Sequence, residues 1–284
     1  MSPFRDSLES LKSRIARIER VQAAGAQAHA AGYVRTGHAE IDAALGGGLA
    51  RGRVHEVFAA EAQDAGCATG FVAVLALRLG GTLVWLREGQ AEKQGGRLHA
   101  PGLAEIGLHP AQVILGIMPD PLAVLRAAAD VVRCPGVGVA VVELWREPRL
   151  LDLTASRRLA LAAEASGVTV IGLRIAAAPS PSAAQTRWQV AAAPSLPMEA
   201  NAPGYPAWGI ELLRQRGRPA GGRWRVEWNR EQARLADAFS SDGAGAAPGN
   251  TPGTGAAAAL SGAVLPLSAG RPAGPAAAPL RHAG

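Results

Sequence analysis

The chain has 284 residues, 48% of them hydrophobic, and a formal net charge of +6, enough apolar material for one sizeable core, while length alone permits one or two domains. The basic balance favours contact with phosphate-bearing partners, although the same Arg-, Ala-, Gly- and Pro-rich usage follows from a GC-rich coding sequence. Two cysteines, Cys67 and Cys134, are too few for a disulfide framework, no C-x-x-C or paired His/Cys spacing offers a zinc site, and Arg5, Asp6 and Glu9 in place of an early apolar run, with no long apolar run elsewhere, predict a soluble, unexported protein.

From Pro3 to about Gln22 the residues Phe4, Leu8, Leu11, Ile15 and Ile18 recur every three or four positions, with Arg5, Lys12, Arg14, Arg17 and Glu19 mainly on other faces. This is the pattern of an amphipathic helix, whose stripe either packs on the chain's own core or docks on a neighbouring protomer or another protein. Residues 23–32 form a loose Ala/Gly/His connection. Val54 to Phe58 is then the first candidate strand, Gly70 to Leu79 a helix closed by Gly80-Gly81, and Thr82 to Leu86 a second strand. Val113 to Ile117 is the third, followed by an Asp120-Pro121 helix start and an apolar face of Leu122, Leu125, Ala129 and Val132. Val137 to Leu144 is a strand, apolar up to Glu143; Thr154 caps a helix that stops at Gly167, and Val168 to Leu173 is the next strand. Such alternation predicts an α/β fold with a doubly wound, mostly parallel sheet covered on both faces.

Shorter alternating runs follow, with Trp188 and Val190, then Trp208, Ile210 and Leu212, then Trp224, Val226 and Trp228 each sharing a strand face. The turn formers of Arg216 to Gly222 would join the last two as an antiparallel hairpin. From about Asp237 the chain becomes an Ala/Gly/Pro/Ser mixture that cannot offset its ordering entropy. The expected organisation is therefore a leading helix and linker over 1–32, a core over 33–235 and a disordered tail over 236–284.

The stretch Thr36 to Leu49, with its Gly46-Gly47-Gly48 turn ahead of the strand ending at Phe58, resembles the approach to a RecA-type nucleotide loop. In such a loop, G-x-x-x-x-G-K-[ST], backbone N–H groups cradle phosphates while the Lys and the hydroxyl serve the terminal phosphate and Mg²⁺. Here Ala59 to Thr69 has no lysine, the only lysines being Lys12 and Lys93. Gly66 remains, but Glu61 and Asp64 put carboxylates where a polyanion should sit, and like charges oppose one another there. A remote Arg does not reproduce the compact ammonium.

The run from Thr36 to about Arg174 is similar to the RecA core. Gly209-Ile210-Glu211-Leu212-Leu213-Arg214 and Arg223-Trp224-Arg225-Val226-Glu227-Trp228 resemble the C-terminal signature of the ImuA family, a RecA-related group of SOS mutagenesis accessory proteins. The resemblance implies that Glu143 stands at the Walker B position, Glu88 near the water-activating glutamate, and Arg174 where RecA carries a nucleotide-sensing glutamine. The plain alternative is that all three are strand-end residues in a salt bridge or facing water. The counterparts of the two DNA loops are Trp145 to Leu150 and Ile175 to Arg187, which keep Arg146, Arg149 and Arg187, with Arg157 and Arg158 nearby. Arg beside Trp suits sequence-tolerant single-strand binding; solvated Arg and core Trp is the competing reading. Arg223 and Arg225, on the face opposite Trp224 and Trp228, join Leu8, Leu11, Ile15 and Ile18 as candidate partner contacts.

What the resemblance implies is a non-catalytic, cytoplasmic accessory protein of damage-inducible translesion synthesis, associating with the nucleoid on DNA damage and needing no cofactor. Its implied partners are a Y-family-like protein of the ImuB type and an error-prone C-family DNA polymerase, with RecA, single-stranded DNA and self-association as further candidates. A divergent DNA-dependent ATPase or recombinase, and a cell-division inhibitor of the SulA type, stay open as alternatives. The six scattered histidines and the lack of a Ser or Cys nucleophile motif offer no other chemistry.

Overall fold

The computed structural model describes residues 32–238 except 149, 196, 199–201 and 203. The expected leading helix with Leu8, Leu11, Ile15 and Ile18, the tail beyond 238, and Arg149 lie outside the described residues.

Strands β1 (Tyr33–Val34) and β2 (Leu49–Ala50) pair antiparallel around helix α1 (Ala39–Leu45). The side chain of Asp42 explains this local fold: its Oδ1 accepts from the Thr36 amide at 2.7 Å and the Thr36 hydroxyl at 2.8 Å. His38 caps the helix by accepting from the Ile41 amide, and its other ring nitrogen meets Asp237 at 2.7 Å, far along the chain. The Thr36 to Leu49 stretch is thus a capped helix fastened to the end of the core. Gly48 is required in its closing turn, because φ is +123° and an added Cβ would collide with the Val34 carbonyl.

A nine-stranded sheet follows, in the order β11-β10-β9-β8-β3-β7-β6-β4-β5. The parallel set comprises β3 (Val54–Ala59), β4 (Leu83–Glu88), β5 (Val113–Met118), β6 (Val139–Trp145), β7 (Thr169–Ile175) and β8 (Thr186–Ala192). Beyond β8 the pairing turns antiparallel through β9 (Ala207–Gln215), β10 (Arg223–Asn229) and β11 (Arg234–Asp237). The mostly parallel α/β sheet and its C-terminal hairpin are therefore as the sequence predicts. Strand β11 is an addition that straddles the expected end of the core, held by Thr36, whose carbonyl accepts from the Leu235 amide.

Helices α2 (Ala65–Leu79), α3 (Gly89–Gly95) and α4 (Ala100–Glu105) cover one face, and α5 (Pro121–Val131) and α6 (Leu153–Ser166) the other. Helix α2 is apolar nearly all round and packs across the middle of the sheet on β3, β7 and β8, with Phe71 meeting Trp208 of β9 edge-on at 5.8 Å. Every residue of β6 is buried, as a strand covered on both faces requires. Asp120 caps α5 as expected, with Pro121 in the first turn. The cap of α6 is Asp152, not Thr154: its Oδ1 accepts from the Ala155 amide at 2.7 Å, which starts the helix two residues early. No helix among the described residues is long and apolar enough to cross a membrane.

Candidate functional site

The carboxyl ends of β3, β4, β6 and β7 gather most of the residues singled out above. After β3 the chain makes one 3-10 turn (Ala62–Asp64) and enters α2 at once, so Gly66 lies in the helix's first turn rather than in a loop. Glu61 is exposed. Asp64 accepts from the Ala192 amide at 3.2 Å, tying the turn to the end of β8. Neither carboxylate is neutralised by a basic side chain among the described residues.

Opposite this turn stands Glu143, fully buried on β6. Its Oε1 accepts from Arg87 Nη2 and Trp145 Nε1, both at 2.9 Å, and its Oε2 accepts from Trp85 Nε1 at 2.8 Å. Strand alternation builds the group, for Trp85 and Arg87 on β4 and Glu143 and Trp145 on β6 all point to the α2 face. Arg87 also donates to the Gly96 carbonyl at 3.1 Å, drawing the end of α3 over the cluster. There a Cβ on Gly95 would come 2.5 Å from the Trp145 ring and 3.6 Å from Ala65, the first residue of α2. The Trp145 indole and the end of α3 thus fill the space between the start of α2 and Glu143. A carboxylate offers about four lone-pair positions; three of those on Glu143 are engaged, and Arg87 supplies the counter-charge a divalent ion would bring. Glu88, one residue past Arg87, points to the other face, and its carboxyl is pushed above the usual range by burial, then by Glu143 and Asp120.

A second buried ion pair lies on that other face. Arg187, a DNA-contact candidate by sequence, is 8% exposed and instead bonds Glu56 through Nε at 3.1 Å and Ser182 Oγ through Nη2 at 2.9 Å, while Ser182 donates to Glu56 at 2.6 Å. Its register on β8, beside Glu56 of β3, turns it inward. Arg174 is also buried, its guanidinium 5.8 Å from the Phe58 ring centroid, donating to the Arg146 carbonyl at 3.4 Å. Burial lowers its pKa, with Glu56 and Glu147 pulling the other way. It neither faces water nor closes a salt bridge at the strand end.

The remaining candidates are dispersed. Arg146 is exposed in a turn with φ +61° whose amide donates to Ile175. Arg157 and Arg158 are exposed on adjacent positions of α6 and so face different sides, Arg157 toward residues 181–185 and Arg158 toward α5. Arg223 is exposed and paired with Glu211 at 3.0 Å. Arg225 is half-buried, not exposed as expected, and donates to the Pro194 carbonyl.

Searched against family models, the chain matches none. Protein ImuA of Caulobacter vibrioides strain NA1000 / CB15N is 35% identical over 204 residues, spanning 66% of this chain and 80% of that protein, and the ImuA of strain ATCC 19089 / CIP 103742 / CB 15 matches equally. The chain belongs to the ImuA family. Among solved structures, the RadB recombinase crystal structure is similar with a TM-score of 0.47 and 16% identity, over 69% of this chain and 96% of that one.

In this ImuA-family chain the sequence reading missed two things. Trp85 and Arg87 were not recognised as partners of Glu143, because the expected second strand stops at Leu86; an Arg two residues after a Trp in a buried strand was the available signal. The position of β5 was the other: it forms the sheet edge, leaving Ile114 57%, Leu115 43% and Ile117 44% exposed.

Proposed function

We propose that this ImuA-family protein is a non-catalytic accessory factor of damage-inducible, error-prone translesion DNA synthesis, bridging an ImuB-type partner and an error-prone C-family polymerase to DNA or to RecA. The observation that carries the reading is the Glu143 cluster. At the ends of β3 and β6 an indole, a buried Arg and the end of α3 occupy the space, and the adjoining turn bears Glu61 and Asp64 instead of a lysine. A site so filled favours docking over nucleotide turnover.

Two surfaces support the docking role. Strand β5 carries no charged residue and no proline, the usual protections of an edge, and presents its outer main-chain groups beside exposed Ile114, Leu115 and Ile117. An added strand from a partner or a second copy would pair there. The β9–β10 hairpin offers Arg223 on the opposite side of the sheet. Co-purification tests the assignment: the protein, intact and truncated after 238, should retain an ImuB-type partner, and failure of both forms would falsify it.

A further inference from the structure

A cleft of about 500 Å³ runs along α6, between that helix and residues 181–185 ahead of β8. Its helical wall is one face of α6, from Leu153 through Arg157 and Leu161 to Glu164, a length of about 16 Å at 1.5 Å per residue. Arg53, at the start of β3, and Arg214 and Arg216, at the end of β9, close one end. They converge because β9 runs antiparallel to β8, so its last residues return beside the first residues of the parallel strands; Arg214 is the direct register partner of Arg187.

The charge in this cleft is uncompensated. Glu164 is bound to Arg53 at 2.7 Å, and Arg187 beneath the wall is neutralised by Glu56. Arg157, Arg214 and Arg216 line the cleft with no acidic partner among the described residues. Three guanidiniums held around an invagination with apolar walls, Leu153 and Leu161 among them, focus a positive potential inside it. Each fork matches a phosphate in shape and charge, and the apolar wall suits the faces of bases or sugars.

We propose that this cleft binds the phosphodiester backbone of a single nucleic-acid strand. The proposal rests on the DNA contact in the functional reading above and moves it from the strand-end loops of Arg146 to the groove of α6. A cleft of about 500 Å³ has room for a nucleotide unit beside the helix. A chain of net charge +6 agrees with a polyanionic occupant.

The test is fluorescence anisotropy of labelled oligothymidylate with the full chain across 50 to 200 mM salt. Arg157→Gln, Arg214→Gln and Arg216→Gln should each weaken binding by roughly 5- to 10-fold and lower the log–log salt slope by about 0.7, as loss of one phosphate contact on a single strand requires. Arg126→Gln, on α5, and Arg133→Gln, just past its end, should leave both unchanged, and circular dichroism melts should verify that every variant folds. If the wild-type chain binds but the three variants bind equally well, the cleft is not the site and the DNA contact lies elsewhere. If the wild-type chain does not bind at all, the DNA contact falls together with the cleft. If polyglutamate displaces the oligonucleotide at equal charge concentration, and the same variants lose polyglutamate, the cleft is a site for acidic peptide and the proposal is overturned.

Discussion

Arg87 Nη2 sits 2.9 Å from Glu143 Oε1, and the two side chains are only 4% and 1% exposed. Charges removed this far from water persist only when paired, and removing one partner strands the other at a cost of about 3–5 kcal/mol. Glu143→Ala should therefore lower the unfolding free energy by that amount in urea titrations followed by tryptophan fluorescence. Adding Arg87→Met should recover only part of it, because Trp85 and Trp145 still lose the acceptor for their indole N–H groups. A loss below about 1 kcal/mol in the single variant would contradict the buried pair.

Arg187 was expected at a DNA surface, and its pairing with Glu56 and Ser182 changes what its removal does. Arg187→Ala should destabilise the fold by roughly 3–5 kcal/mol, whereas Arg157→Ala, at an exposed helix position, should stay within about 0.5 kcal/mol. Thermal melts of the two variants side by side distinguish a structural arginine from a surface one.

His55 gives the chain a defined pH dependence. Trp188 Nε1 donates to Thr186 Oγ1 at 2.9 Å, which leaves that hydroxyl its own proton to donate to His55 Nδ1 at 2.7 Å; Nε2–H then donates to the Ala50 carbonyl at 2.8 Å. The ring is neutral, and burial pushes its pKa down from 6.5 to about 4, with the Ala50 bond opposing the shift. With the folded pKa below the unfolded one, the stabilisation is complete above pH 6.5 and is lost as pH falls toward 4, on the order of 3 kcal/mol in total. Urea midpoints measured from pH 7.5 to 4.5 should fall in that window, and His55→Gln should flatten the contribution. A midpoint independent of pH in both proteins would refute it.

The two cysteines should differ in reactivity. Cys134 is exposed, whereas burial and then the Asp64 carboxylate raise the Cys67 thiol to about 12, leaving almost no thiolate at neutral pH. Iodoacetamide at pH 8 should alkylate Cys134 first and Cys67 only on unfolding, as read by peptide mass spectrometry. Equal labelling rates in the native protein would show that the Cys67 environment is wrong.

The parallel strands and the hairpin were legible because fully apolar runs such as Val139 to Val142, and alternating ones such as Trp224 to Trp228, carry period and burial together. The lack of a phosphate-loop lysine was legible for the simpler reason that it is a matter of identity. Sequence could not reveal which strand is the edge: Val113 to Met118 reads like an inner strand, and only the order of pairing exposes Ile114 and Ile117. Nor could it reveal that Arg187 turns inward, since an arginine's partner is fixed by the register of a strand more than a hundred residues away. Asp152 displaced Thr154 as a cap because two competent capping residues lie two positions apart, and local pattern does not choose between them.

The central claim, that the cluster of Arg87, Glu143 and Trp145 has replaced nucleotide chemistry with a packed docking scaffold, meets its most direct test in Mg²⁺-ATP. Isothermal titration and steady-state hydrolysis by the full chain, with and without single-stranded DNA, should give no saturable heat and no turnover above a protein-free blank. Saturable binding with turnover like that of a working recombinase would contradict the account.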